Sequence, residues 1–234
     1  MATYLVTGAN RGIGYEYCRQ LQSRGDDVIA LCRHSSEALD LLSKSPDSKA
    51  SVHVKTGIDI SDDEAIAALI QFLQQQPIDV LINNAGIYRQ SSLESLNIDG
   101  IREQFEVNAI APLQLTQSLL PNLKKSTAKG GAKVAIMTSR MGSIGDNTSG
   151  GSYGYRLSKT ALSMAGKSLS HDLKNQGIAV AILHPGLVST DMTNFNDSGI
   201  SPEESVKGLL ARIDELTLET TGTFWHSNGE VLPW

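Results

Sequence analysis

The chain is poor in cysteine, in long apolar runs and in positive charge, and each shortage removes a class of protein. Only Cys18 and Cys32 occur. Their spacing builds neither a disulfide framework nor a metal-binding motif, so a reduced, cytoplasmic setting is expected. No apolar run approaches the roughly 18 residues of a membrane-spanning helix, so no membrane partner is expected. The opening Met1-Ala2-Thr3-Tyr4 leads straight into an apolar strand, without a signal-peptide pattern. The net charge is −5, with no long basic run. Lys124-Lys125 and Arg102 are the local exceptions, too few for a nucleic-acid surface. The five histidines are scattered without ligand spacing, so no metal is expected. Repeats, low-complexity tracts and linkers are also missing, which leaves one domain over residues 1–234.

What is present is a full core. Hydrophobic residues make up 40% of the 234 positions, enough for a globular domain of this length. Short apolar segments at 4–6, 27–33, 51–54, 78–82, 133–137, 178–183 and 223–225 read as strands. Between them lie segments of helical periodicity: one ending near Gly25, one over 35–42, and one capped by Ser61 with Glu64 and running to about Gln75. A long one over 99–123 should kink at Pro112, one over 152–174 stops before Gly177, and one starts at Ser201-Pro202. Residues 45–48 read as a loop. The alternation predicts an α/β fold, a doubly wound, mostly parallel sheet of seven strands with helices on both faces.

The first strand runs into Thr7-Gly8-Ala9-Asn10-Arg11-Gly12-Ile13-Gly14, and a helix follows at once. Strand, glycine-rich turn and helix make a phosphate site. Glycines let the backbone approach closely, and the helix N-terminus offers free N–H groups and a positive dipole end. The spacing is Gly-x-x-x-Gly-x-Gly, not the commoner Gly-x-Gly-x-x-Gly. The second strand ends in Cys32-Arg33. A carboxylate there would hold a ribose 2′-hydroxyl; a guanidinium can pair with a 2′-phosphate instead. NADP(H) is therefore expected over NAD(H), with Arg11 as a second cation, unless Arg33 is a solvated loop residue. Asp59, before Ile60, either accepts a bond from an adenine amino group or organises a turn. Asn83-Asn84-Ala85-Gly86 ends the fourth strand, at the ligand edge of a parallel sheet.

The chemistry lies in the second half. Tyr155 and Lys159 are four apart, so on a helix they share a face. A free phenol titrates near pH 10, and a fixed cation beside it should lower that value and let it exchange a proton at neutral pH. Tyr153 has Leu157 four residues on, not a lysine. Ser139 ends the fifth strand without the Gly-x-Ser-x-Gly setting of a hydrolase nucleophile; its hydroxyl can polarise a carbonyl oxygen. Asn108 sits in an apolar helical run, either bonded to backbone or ordering water near the site. His184 reads as structural, and Trp225 and Trp234 as packing residues.

Together these stretches resemble the short-chain dehydrogenase/reductase family over nearly the whole chain. Thr7-Gly8…Gly12-x-Gly14 is similar to its cofactor motif, Asp59 to its adenine motif, and Asn83-Asn84-Ala85-Gly86 to its sheet-stabilising motif. Asn108, Ser139, Tyr155 and Lys159 match its catalytic tetrad. Pro185-Gly186-Leu187-Val188-Ser189-Thr190 matches the stretch that flanks the nicotinamide. Within the family, Tyr153-Gly154-Tyr155-Arg156 and the closing Gly222-Thr223-Phe224-Trp225…Pro233-Trp234 are most similar to the C-factor and sniffer-type carbonyl reductases. The resemblance implies a Rossmann fold and hydride transfer from NADPH to an aldehyde, ketone or quinone, or the reverse from an alcohol. Tyr155 is then the proton donor and Ser139 the holder of the substrate oxygen. Lys159 lowers the tyrosine pKa and binds ribose, and Asn108 keeps a relay water. It also implies a homodimer or homotetramer built on the helices at 99–123 and 152–174. The residues 142–152, longer than is usual in the family, either flex over the substrate or form a plain surface loop. The alternative function is an NADP(H)-binding signalling protein with little turnover; a hydrolase using Ser139 is disfavoured.

Overall fold

The computed structural model describes residues 1–45 and 50–234. Of the loop expected over 45–48, Pro46, Asp47 and Ser48 lie outside the described residues. Seven strands form one sheet: β1 (Thr3–Thr7), β2 (Asp27–Leu31), β3 (Val52–Lys55), β4 (Val80–Asn83), β5 (Lys133–Met137), β6 (Ala179–His184) and β7 (Phe224–His226). Their spatial order is β3-β2-β1-β4-β5-β6-β7, and every pairing of these strands is parallel. An isolated antiparallel bridge joins Trp225 to Val231. The mostly parallel expectation is thus met in a stricter form.

The helices are α1 (Gly12–Arg24), α2 (Glu37–Ser43), α3 (Asp63–Leu73), α4 (Ile98–Phe105), α5 (Ala111–Ser118), α6 (Leu120–Leu123), α7 (Tyr153–Lys174) and α8 (Pro202–Glu215). Alternate strand residues feed two separate cores, as the two-residue period of a strand requires. Tyr4 and Val6 join Tyr17 and Leu21 of α1 and Leu209 and Ile213 of α8 on one face. Leu5 joins Leu69 of α3, Leu115 of α5 and Leu162 of α7 on the other. Each such side chain stabilises the fold by about 1.5–3 kcal/mol relative to exposure.

Four local expectations change. The cap of α3 is Asp62, whose carboxylate accepts from the N–H groups of Glu64 and Ala65, not Ser61; Ser61 is turned back to donate to Asp59. That helix ends at Leu73, because Gln74 turns out of it at φ 49. The second helix starts at Glu37, capped by Ser36, rather than at residue 35. The long helix over 99–123 is not one rod kinked by Pro112. A π-helical turn, Glu106–Ile110, separates α4 from α5, and Pro112 falls in the first turn of α5. The interruption has already happened where the missing proline N–H would have forced one. Ser201 and Pro202 do open α8 as expected.

Candidate active site

Connections run one way from β1 and the other way from β4, and a crevice opens outside the C-terminal ends of these adjacent strands. The cleft there measures about 490 Å³. Its wall takes in Gly8, Asn10, Arg11, Gly12, Ile13 and Gly14 from the first loop, Arg33 after β2, and Asp59 and Ile60 after β3. Asn84, Ala85 and Gly86 follow β4, and Tyr155, Lys159, Pro185 and Thr190 close the far side. Gly186 and Val188 sit behind the wall: Val188 is buried and bridged to Ile200, and Gly186 lies against His226.

The glycine loop is stapled to the segment after β4. The Thr7 hydroxyl accepts from the N–H groups of Asn84 and Ala85, both at 2.9 Å, and the Asn84 amide donates to the Thr7 carbonyl at 2.9 Å. A Cβ on Gly14 would collide with the Gly8 carbonyl oxygen and crowd the Asn84 amide. Only glycine lets α1 start this close to the loop, with its first N–H groups at the cleft. That cradle fits the pyrophosphate of a dinucleotide.

Arg33 is two-thirds exposed and lies 3.7 Å from the Asp59 carboxylate. Asp59 also accepts from the Ser61 N–H at 3.0 Å and its hydroxyl at 2.6 Å. Burial pushes the Asp59 carboxyl up, but those bonds and the guanidinium outweigh it and hold the group below its ordinary value. Asp59 therefore organises a turn and faces a cation. Arg11 reaches across the cleft mouth to Asp191, at 3.3 Å.

At the other end, Tyr155 and Lys159 stand on the first turns of α7. Lys159 is buried, and its ammonium donates to the Met137 carbonyl at 2.8 Å. It lies 5.7 Å from the centre of the Tyr155 ring. Burial pushes the Tyr155 phenol up to about 12; a hydrogen bond with Ser139 pulls the other way and Tyr88 adds to the rise. The acidification expected from the lysine does not emerge in the chain itself: burial raises the phenol, which keeps its proton at neutral pH. The same enclosure drives Lys159 down to about 8. Ser139 also accepts from the Met141 N–H at 3.1 Å, which fixes its hydroxyl at the end of β5.

Asn108 does not line the cleft. Its side chain, fully buried on the π turn, accepts from the Ile87 N–H at 2.8 Å and donates to the Ile87 carbonyl at 2.9 Å. It also donates to Ser158 at 3.0 Å, and Ser158 donates to the Tyr155 carbonyl at 2.9 Å. Of the two readings open for Asn108, these bonds match the backbone-bonded one. The amide ties the segment after β4 to the turn that carries the tyrosine.

Residues 142–152 are tied down. Arg156 donates to the carbonyls of Met141, Gly150 and Gly151 and to Ser149, and Arg140 pairs with Asp146 at 2.8 Å. His184 meets His226 edge to face at 4.9 Å, because β6 and β7 place them in register. Burial drives His184 down to about 3, which keeps it neutral, in line with a structural role. Trp234 stacks on Phe224 at 5.4 Å, a packing contact. Residues not anticipated at the cleft include Ile87, Glu103, Val107, Asp191 and Met192. Ile87 and Val107 flank the predicted Gly86 and Asn108, and position was their only signal.

The family model for short chain dehydrogenases matches residues 2–200. The chain belongs to that family. Among relatives of this short-chain dehydrogenase is 1-hydroxy-2-glutathionyl-2-methyl-3-butene dehydrogenase of Rhodococcus sp. (strain AD45), 41% identical, with both chains covered in full. C-signal of Myxococcus xanthus is 42% identical over 68% of this chain and 93% of its own length. Among solved structures, the NADPH bound carbonyl reductase from chicken fatty liver superposes with a TM-score of 0.89 at 32% identity. That match covers 100% of this chain and 99% of the other. The subgroup resemblance to C-factor and carbonyl reductases agrees with these matches. Among the described residues, no helix is long and apolar enough to cross a membrane.

Proposed function

We propose that this short-chain dehydrogenase is an NADP(H)-dependent oxidoreductase that reduces a small aldehyde, ketone or quinone, or oxidises the corresponding alcohol. The observation that carries the reading is one cleft that joins a dinucleotide cradle at Gly8–Gly14 to the Tyr155 phenol, with the buried Lys159 ammonium beside its ring. NADP(H), when bound, supplies the hydride. Tyr155 holds a proton at its phenolic oxygen and gives it to the substrate oxygen. The Ser139 hydroxyl bonds that same oxygen as charge builds on it. Lys159 contributes positive charge beneath the phenol, and Asn108 steadies Ile87 and, through Ser158, the tyrosine's turn.

Preference for the phosphorylated dinucleotide rests on Arg33. Among the described residues its guanidinium has one carboxylate partner, at 3.7 Å, and its side chain is two-thirds exposed to a second anion. The NADPH carried by the carbonyl reductase neighbour supports the same choice. The substrate for which the Rhodococcus relative is named, a glutathionyl alcohol, belongs in the panel to be tested. We also propose a homodimer or homotetramer, and a cytoplasmic setting.

The test is cofactor oxidation with aldehydes, ketones and quinones, NADPH against NADH. Turnover with NADPH preferred is expected. Arg33→Ala should raise the KM for NADPH by about tenfold and leave that for NADH unchanged; an equal effect on both removes the assignment. Tyr155→Phe should abolish turnover and keep NADPH binding. The second reading, a dinucleotide-binding signalling protein, draws on the relative named C-signal. Tight NADPH binding without turnover across the panel would favour it.

A further inference from the structure

Tyr88 follows the cofactor-edge segment after β4, and its side chain has no part in the mechanism above. Its neighbours on both sides are pinned by buried amides. Asn108 takes both the N–H and the carbonyl of Ile87. Gln104, also fully buried, accepts from the Arg89 N–H at 2.9 Å and donates to the Arg89 carbonyl at 3.3 Å. The Arg89 guanidinium in turn forms two bonds with Glu103, at 2.8 and 2.9 Å. The backbone on either side of Tyr88 is therefore held by side chains from α4 and the π turn. Buried amides satisfied this fully rigidify the segment they bind.

What the bracket presents is the tyrosine. Its ring meets the Tyr155 ring edge to face, with centroids 5.5 Å apart at 72°, a favoured aromatic geometry. Its hydroxyl lies 3.2 Å from that of Ser152. Ser152 is the residue before α7 and stands at φ 46, ψ 42. A non-glycine residue there costs free energy unless its surroundings fix it, and such residues gather at functional sites. Gly154, one residue before Tyr155, abuts Gln104: a Cβ there would collide with the Gln104 amide and press on Ile101. The same amide thus touches both the Tyr88 segment and the start of α7.

We propose that Tyr88 is a positioning residue: braced by Gln104 and Asn108, it sets the orientation of the Tyr155 phenol through ring contact and through Ser152. The proposal rests on Tyr155 being the proton donor. Groups facing the Tyr155 phenol are Ser139 from the end of β5, Tyr88 from the segment after β4, and Lys159 from α7. Arg11, Glu103 and Asp191 line the same cleft. Of these, Tyr88 raises the phenol's pKa by like-charge interaction, so removing its hydroxyl should lower the pH at which Tyr155 ionises.

Tyr88→Phe and Tyr88→Leu test it, beside Tyr155→Phe. Tyr88→Leu, which loses ring and hydroxyl, should lower kcat for carbonyl reduction by about tenfold, the scale of a small misplacement of the reacting group. The KM for NADPH should stay within about twofold of the parent value. Tyr88→Phe keeps the ring and should fall between parent and Tyr88→Leu. In protein labelled with 13C at the tyrosine ζ carbon, the resonance lost in Tyr155→Phe belongs to Tyr155. Its titration midpoint should move to lower pH in Tyr88→Phe, a shift that loss of stability alone does not produce. If Tyr155→Phe is inactive while both Tyr88 variants keep the parent's kcat and midpoint, the positioning role alone is overturned. If Tyr155→Phe retains turnover, the proton-donor reading falls and this proposal falls with it.

Discussion

Lys159 brings a positive charge to an enclosed position, satisfied by one carbonyl, that of Met137. Its pKa falls to about 8 from 10.5. Between those values the unfolded chain binds a proton that the folded chain does not, so this group makes stability rise with pH across that window. Lys159→Met keeps the length and apolar stem of the side chain and removes the charge. Urea unfolding of parent and variant at about pH 7.5 and about pH 9.5 should show the parent gaining stability relative to the variant as pH rises. A constant difference would mean that the ammonium is not enclosed as described. Whichever way the stability of the variant shifts, its turnover should be lost. The cost of burying that cation fits the proposed chemical role of Lys159 better than a stabilising one.

At the level of elements, the glycine turn is the sharpest case. Gly14→Ala sets a methyl group against the Gly8 carbonyl, which is backbone and cannot swing aside. Fluorescence titration should show NADPH affinity reduced by about tenfold or more, with α1 displaced from β1 and a lowered Tm. Unchanged affinity would detach the cradle from cofactor binding. The strands and most helices were legible from pattern alone, since a short continuous apolar run such as Tyr4-Leu5-Val6, followed at once by a glycine-rich turn, reads as a strand covered on both faces. The π turn was not. On it Asn108 bonds both backbone groups of Ile87, a contact between separate segments that no local propensity encodes. Asp62 displaced Ser61 as a cap for a similar reason: Ser61 had a better partner in Asp59. At the site, residue types and spacing marked Tyr155, Lys159, Ser139 and the glycine loop. The direction of the Tyr155 shift was illegible, because it depends on how completely the packed chain encloses the phenol. Tyr88 and Gln104 were illegible too, since their meaning comes only from the bracket they form.

Over the whole molecule, α4, the π turn, α5 and α7 leave Ile98, Phe105, Ile110, Leu113, Leu157 and Met164 between about 40% and 66% exposed. So many large apolar side chains on one set of elements favour burial against a second copy. The proposed dimer should run near twice 25.1 kDa by light scattering. Leu157→Glu with Met164→Glu should return it to a monomer, without changing the cofactor preference set at Arg33. A parent that is already monomeric at micromolar concentration would count against the dimer.

The strand order carries one more consequence, in the timing of synthesis. The first of these seven strands to leave the ribosome is an interior strand of the finished sheet, with β2 and β3 on one side and β4 to β7 on the other. One flank of β1 can be covered as soon as residue 31 has been made; the other waits for Val80 to Ile82, and the sheet is complete only when His226 is added. During that interval Tyr4, Leu5 and Val6 present an open hydrogen-bonding edge. The nascent chain is then most exposed to wrong pairing along the strand that will later be among its best protected.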